Sequence, residues 1–164
     1  MKRFFKIALL SLFVIFLLAV GGFVLWAETP AQPGPASLAA LESDEFIYVF
    51  QREDYIVFYP ALCEAQIAEE NATGQQHLIK GLIFYPGGRV DYRAYAPALR
   101  KVAEQGIIVF LVRARLNLAV FDIESGAPLL EKTEGVDVWA AGGHSLGAVA
   151  ASRFAQNQIG RAHV

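Results

Sequence analysis

Gly143-His144-Ser145-Leu146-Gly147 sets one serine between two glycines, each two residues away. A serine hydroxyl is a poor nucleophile until a base removes its proton and a sharp turn lifts it clear of its neighbours. Glycines at these two positions permit such a turn, because side chains there would collide with the backbone folding back on either side. The chemistry this suggests is acyl transfer, with Ser145 as nucleophile and a covalent acyl-enzyme. Acyl transfer also needs two N–H donors aimed at the developing oxyanion. Leu146, directly after the serine, offers one. The turn Pro86-Gly87-Gly88-Arg89 offers the second, and Gly88 is the first candidate because an unhindered backbone can approach a carbonyl. Gly87 and Arg89 are alternatives. The competing reading is a plain glycine-rich turn whose serine only caps a helix, with Pro-Gly-Gly as an ordinary loop.

These groups must be held by the elements around them. Residues 136–141 read as a strand that ends at the serine turn, and 146–156 as a helix in which Ala148, Ala150 and Ala151 allow close packing on a sheet. The serine would then sit at a helix N-terminus, where unpaired N–H groups and the helix dipole favour negative charge. Upstream, 46–50 and 55–59 are aromatic and β-branched runs joined by polar residues, which predicts a hairpin. A short helix and a loop are expected over 61–76, and a third strand over 78–85, stopped by Pro86. Tyr95, Leu99 and Val102 recur at helical spacing within 92–105, before Gly106. The unbroken apolar run 107–112 predicts a strand buried on both faces. Residues 117–123 read as a short helix or loop, broken at Gly126-Ala127-Pro128. Strand, helix and strand in this order imply a parallel sheet with a right-handed crossover.

Of the 164 residues 55% are hydrophobic, and the excess is concentrated in residues 7–27, which carry no charge. At about 1.5 Å per residue this stretch matches the roughly 30 Å core of a bilayer. It is longer than the apolar region of a cleaved signal peptide, and Leu25 stands where a cleavage site needs a small residue, so a retained signal anchor is expected. Lys2, Arg3 and Lys6 precede the stretch and Glu28, Glu42, Asp44 and Glu45 follow it, which predicts a single-pass protein whose later part faces outward. Residues 1–27 are thus read as a cytoplasmic stub and anchor in contact with the lipid bilayer through 7–27. Residues 28–43 are read as a Pro/Ala-rich linker forming an extended stalk, and 44–164 as the folded domain.

A formal net charge of −2, with no basic cluster beyond the N-terminus, argues against nucleic acid as a partner. No His/Cys/Asp/Glu group has the spacing of a metal site, and no phosphate- or dinucleotide-binding glycine pattern occurs, so neither metal nor cofactor is expected. Cys63, the single cysteine, leaves the domain to rely on its core.

The run Phe84-Tyr85-Pro86-Gly87-Gly88-Arg89-Val90-Asp91-Tyr92-Arg93-Ala94-Tyr95-Ala96-Pro97, with Leu116-Asn117-Leu118-Ala119-Val120-Phe121 and Gly142-Gly143-His144-Ser145-Leu146-Gly147, resembles the bacterial membrane-anchored hydrolases of α/β-hydrolase fold family 5. The resemblance covers most of the chain after Phe46 and implies an α/β fold, a mostly parallel sheet with flanking helices, of which the first five strands are present here. It implies a Ser-His-Asp mechanism acting on carboxylic esters or related acyl compounds, with a small-molecule acyl substrate. The family order places the acid after a seventh strand and the histidine after an eighth. His77, His144 and His163 do not fill the histidine's place, nor do Asp91, Asp122 and Asp137 have a positional claim to be the acid. The closing stretch 159–164 back-translates to ATC GGA AGA GCA CAC GTC, part of a common sequencing-library adapter. The natural protein is therefore expected to continue past Gln158, and the chain as written to be an inactive N-terminal fragment with its fifth strand at an open sheet edge. A rival expectation is a membrane-attached module that keeps the fold without catalysis.

Overall fold

A computed structural model describes residues 2–159; Met1 and residues 160–164, and with them His163 and most of the unusual ending, lie outside the described residues. The first element is helix α1 (Lys2–Ala27), long and apolar enough to cross a membrane. From Arg3 to Trp26 every residue is exposed.

Five strands form one mixed sheet: β1 (Ile47–Gln51), β2 (Tyr55–Pro60), β3 (Lys80–Tyr85), β4 (Ile107–Val112) and β5 (Val138–Gly143), in the order β1-β2-β4-β3-β5. β1 and β2 are the expected hairpin, and β2 runs antiparallel to β4. β3 lies parallel to both β4 and β5. The inversion between β4 and β3 puts β3 between β4 and β5, so the loops leaving β3 and β5 emerge side by side at one edge of the sheet.

Alternation along the strands supplies two cores. Ile108, Phe110 and Val112 of β4 face one side, with Ile83 and Tyr85 of β3 and Val57 of β2. That side is covered by α3 (Ala61–Thr73) through Cys63, α5 (Ala127–Lys132) through Leu129, and α6 (Leu146–Phe154) through Ala150, Ala151 and Phe154. Val109 and Leu111 face the other side, with Ile56, Phe58, Ile47 and the Ala96, Leu99 and Ala103 stripe of α4 (Ala96–Ala103). The continuous apolar run of β4 is thus explained by burial on both faces. β5 ends the sheet order, and its Val138 and Ala140 are exposed.

Two expected elements differ in detail. The helix predicted over 92–105 starts as a 3-10 turn, Tyr92–Tyr95, and becomes α-helical only where Pro97 occupies its first turn, a position that needs no donated N–H. Residues 117–123, expected as a short helix or loop, hold the 3-10 turn Ala119–Phe121 and the start of another, Ile123–Gly126, following left-handed backbone at Leu116 and Asn117.

The extended stalk expected over 28–43 is corrected by the structure. A short helix, α2 (Pro35–Ala39), forms within it, and Leu41 is buried in the core on the α4 side. Ala31 makes a parallel bridge to Val90, its N–H donating to the Arg89 carbonyl at 2.9 Å and its carbonyl accepting from the Asp91 N–H at 3.0 Å. Arg100 donates to the Ala40 and Glu42 carbonyls at 3.2 and 2.6 Å and pairs with Asp44 at 2.5 Å. Prolines do favour extended backbone, but these partners lie far along the chain and outweigh the local preference.

Candidate active site

Ser145 stands between β5, which ends at Gly143, and α6, at φ 52°, ψ −120°, a region that L-residues rarely occupy. Its neighbours show why the turn survives. A Cβ on Gly147 would lie 2.1 Å from the Tyr85 carbonyl oxygen and 2.5 Å from that of Pro86. One on Gly143 would lie 2.4 Å from the backbone of Gly147. Both obstacles are backbone and cannot swing away, so glycine is required at each position. The serine is exposed and makes no capping hydrogen bond to α6. A helix-capping serine would spend its oxygen on those N–H groups.

The loop after β3 is held from three sides. The Gly87 N–H donates to the Tyr95 hydroxyl at 3.0 Å, and the Arg89 N–H donates to the Asn117 carbonyl at 2.8 Å. The Arg89 carbonyl and the Asp91 N–H join Ala31 as described. Between these fixed points the Gly88 N–H donates to no group among the described residues, and the same is true of the Leu146 N–H at the start of α6. The two positions adjoin: a Cβ on Gly88 would lie 2.7 Å from Cδ1 of Leu146 and 3.3 Å from the Leu118 side chain. The three sequence candidates Ser145, Gly88 and Leu146 are therefore brought to one place, whereas the alternatives Gly87 and Arg89 have their N–H groups engaged.

Tyr95 was legible in the sequence only as a helix position facing the core. Its hydroxyl links the two loops, accepting from Gly87 and meeting His144 Nδ1 at 2.9 Å. With the imidazole proton on Nε2, the hydroxyl hydrogen points to Nδ1 and all three groups are satisfied. His144 thus braces the site from behind Ser145. His77 is half-buried before β3, where it meets Glu69 at 3.2 Å.

The aspartates have structural tasks. Asp91 is buried, caps the 92–95 turn by accepting the Arg93 N–H at 3.0 Å, and pairs with the Arg93 guanidinium at 2.7 Å. The hydrogen bond from that guanidinium holds the Asp91 carboxyl below the ordinary carboxylate range. Asp137 accepts the Ile79 N–H at 2.8 Å, and Asp122 accepts the Arg115 N–H at 3.2 Å. Beneath the site, buried Tyr85 donates to the Ile123 carbonyl at 2.6 Å and accepts the Gly126 N–H at 3.2 Å, tying the 119–126 segment to β3. Burial pushes its phenol well above the usual range, so it acts as a neutral donor.

A cavity of about 780 Å³ opens past the end of β4, lined by Glu28, Asp54, Arg113, Arg115, Asn117 and Asp122 among others. Ser145 is not in its lining; Leu116 and Asn117, which border the cavity, separate it from the glycine loop. Among the described residues no group of three His, Cys, Asp or Glu side chains is gathered as a metal would require.

Three adjacent parallel strands, an antiparallel hairpin on one flank and a serine on a strained strand-to-helix turn define an α/β-hydrolase type of architecture. A sequence model of the alpha/beta hydrolase family matches residues 81–163, which is half of the chain, and the protein belongs to that family. No curated protein matches the chain.

Proposed function

We propose that the protein is a membrane-tethered serine hydrolase acting on carboxylic esters or related acyl compounds. The observation that carries this reading is Ser145 itself, exposed, strained and free of any capping role, beside two adjoining N–H groups with no acceptor among the described residues. In the proposed reaction Ser145 Oγ attacks the acyl carbonyl and gives its proton to a histidine base, while the Gly88 and Leu146 N–H groups receive the oxyanion. The alcohol leaves with that proton, and water then releases the acid. Donors of this kind typically contribute on the order of 10²–10³ in rate each.

The family order assigns the histidine base and its acid partner to positions after an eighth and a seventh strand, neither of which is among the five strands of the described residues. α1 is assigned as a single-pass anchor with the hydrolase domain outside the cytoplasm, on the charge difference across residues 7–27.

The reading is tested by expressing the full-length gene product and following chromogenic acyl esters. A burst of alcohol followed by slower turnover, with an acyl adduct on the Ser145 peptide, is the expected result. Absence of turnover and adduct in a well-folded full-length protein would leave a non-catalytic module with this fold.

A further inference from the structure

An exposed aromatic ring of the domain lies against α1. Phe121 is 62% exposed and stacks edge-on against Phe23 of α1, with ring centroids 6.4 Å apart and planes at 84°. Phe23 lies one turn inside the helix from Ala27, about 6 Å along its axis. A helix that crosses the bilayer over 7–27 therefore carries the Phe121 ring below the level at which the chain leaves the hydrocarbon.

The placement is held rigidly. Asn117 Nδ2 donates to the Ala27 carbonyl at 3.0 Å, and the Arg89 guanidinium donates to the Trp26 and Thr29 carbonyls at 2.9 and 2.8 Å. The same guanidinium lies 4.4 Å from the centre of the Trp26 ring. A cation at a helix C-terminus is favourable, and an Arg–Trp pair suits the headgroup zone, where each has an apolar body and a polar end. The last turn of α1 is thereby fixed to the loops beside Ser145, rather than joined to the domain by a free stalk.

From these contacts we infer that the sheet edge carrying residues 115–121 docks on the lipid surface, with Phe121 inserted at the acyl boundary and Arg89 and Trp26 at headgroup level. The inference rests on the reading of α1 as a membrane anchor. The occupant is the bilayer because the exposed ring is continuous with the helix that enters it. The edge bearing Gly88 and Ser145 is then held at the membrane surface, and the cavity containing Glu28 opens within the first turn of chain outside it.

A molecule-internal control exists. Phe46 is equally exposed, at 66%, but precedes β1, whose start pairs with the end of β2 at the opposite edge of the sheet. Cys63 is fully buried, so a spin label can be directed to single introduced cysteines. The full chain would be reconstituted in phosphatidylethanolamine–phosphatidylglycerol vesicles carrying Phe121→Cys, Phe46→Cys or the mid-helix Leu17→Cys. Collision of the label with oxygen, which partitions into lipid, would be compared with collision with a water-soluble nickel chelate.

The expected result is an oxygen-to-nickel ratio at Phe121→Cys severalfold above that at Phe46→Cys and approaching that at Leu17→Cys. A nickel-accessible label at position 121 with a lipid-buried label at 17 overturns the docking while leaving the anchor intact. A label at 121 shielded from both agents also overturns it, since protein rather than lipid would then cover the ring. Nickel access at 17 removes the anchor reading, and the docking with it.

Discussion

The two loops that meet at the site are stabilised in different ways. The serine turn is enforced by steric exclusion against backbone: a Cβ on Gly143 would meet Gly147, one on Gly147 would meet the Tyr85 and Pro86 carbonyls, and Ser145 absorbs the strain. The glycine loop after β3 has no such crowding against backbone. It is held by hydrogen bonds to groups distant in sequence, namely Tyr95, Asn117 and Ala31. A turn wedged against backbone has no neighbour that can swing aside, whereas a loop held by separate hydrogen bonds can be loosened one contact at a time. Changes in the first should therefore act on folding and chemistry together, and changes in the second should be graded.

The largest expected effect is Gly147→Val. Its Cβ would meet the Tyr85 and Pro86 carbonyl oxygens at the end of β3, and we expect a loss of roughly 4 kcal/mol or more in chemical denaturation, enough to unfold a marginal domain. Gly143→Ala should approach it. Next, Ser145→Gly should raise stability by about 1–2 kcal/mol, because glycine occupies φ 52° without strain. A neutral or destabilising result would mean that the turn is not strained in solution.

On the other loop, Tyr95→Phe leaves the Gly87 N–H and His144 Nδ1 without their shared partner while keeping the ring packed near Phe84. A cost of about 1–2 kcal/mol is expected, together with a fall in kcat for the full-length enzyme that exceeds any change in KM.

Asp91→Asn tests the same loop through pH. The folded carboxyl sits below its unfolded value, so its contribution is present above the unfolded carboxylate range and lost as pH falls through the folded value. The variant should show a flatter acid limb in stability against pH, with a loss of roughly 1–3 kcal/mol at neutral pH. The smallest effect is expected for Arg89→Ala, whose guanidinium is solvent-accessible: under about 1 kcal/mol in global stability, but faster proteolysis between Ala27 and Ala31.

How much of this was legible in the sequence follows the same division. The hairpin and the buried run of β4 rest on periodicity and the Gly143-to-Gly147 spacing on the steric rule of a sharp turn, whereas the approach of Gly88 to Leu146 and of Gly147 to the end of β3 joins segments distant in the chain. The 28–43 segment was misread as a stalk because its composition speaks only of local preference. Its fold comes from Arg89, Val90 and Arg100, which no short window contains. Tyr95 was missed for a related reason, since a tyrosine at helical spacing looks like core, and only the return of two loops to its hydroxyl reveals the link. The placement of β4 between β2 and β3 likewise depends on the crossover, not on any strand's residues.

The central claim is that Ser145 is an activated nucleophile presented by a forced turn. It is tested most directly by exposing the full-length gene product to a fluorophosphonate probe, which phosphonylates activated serines, beside its Ser145→Ala counterpart. The account predicts labelling that maps to the Ser145 peptide and vanishes in Ser145→Ala with folding intact. Labelling that persists in that variant, or none in a folded wild-type protein, would contradict it.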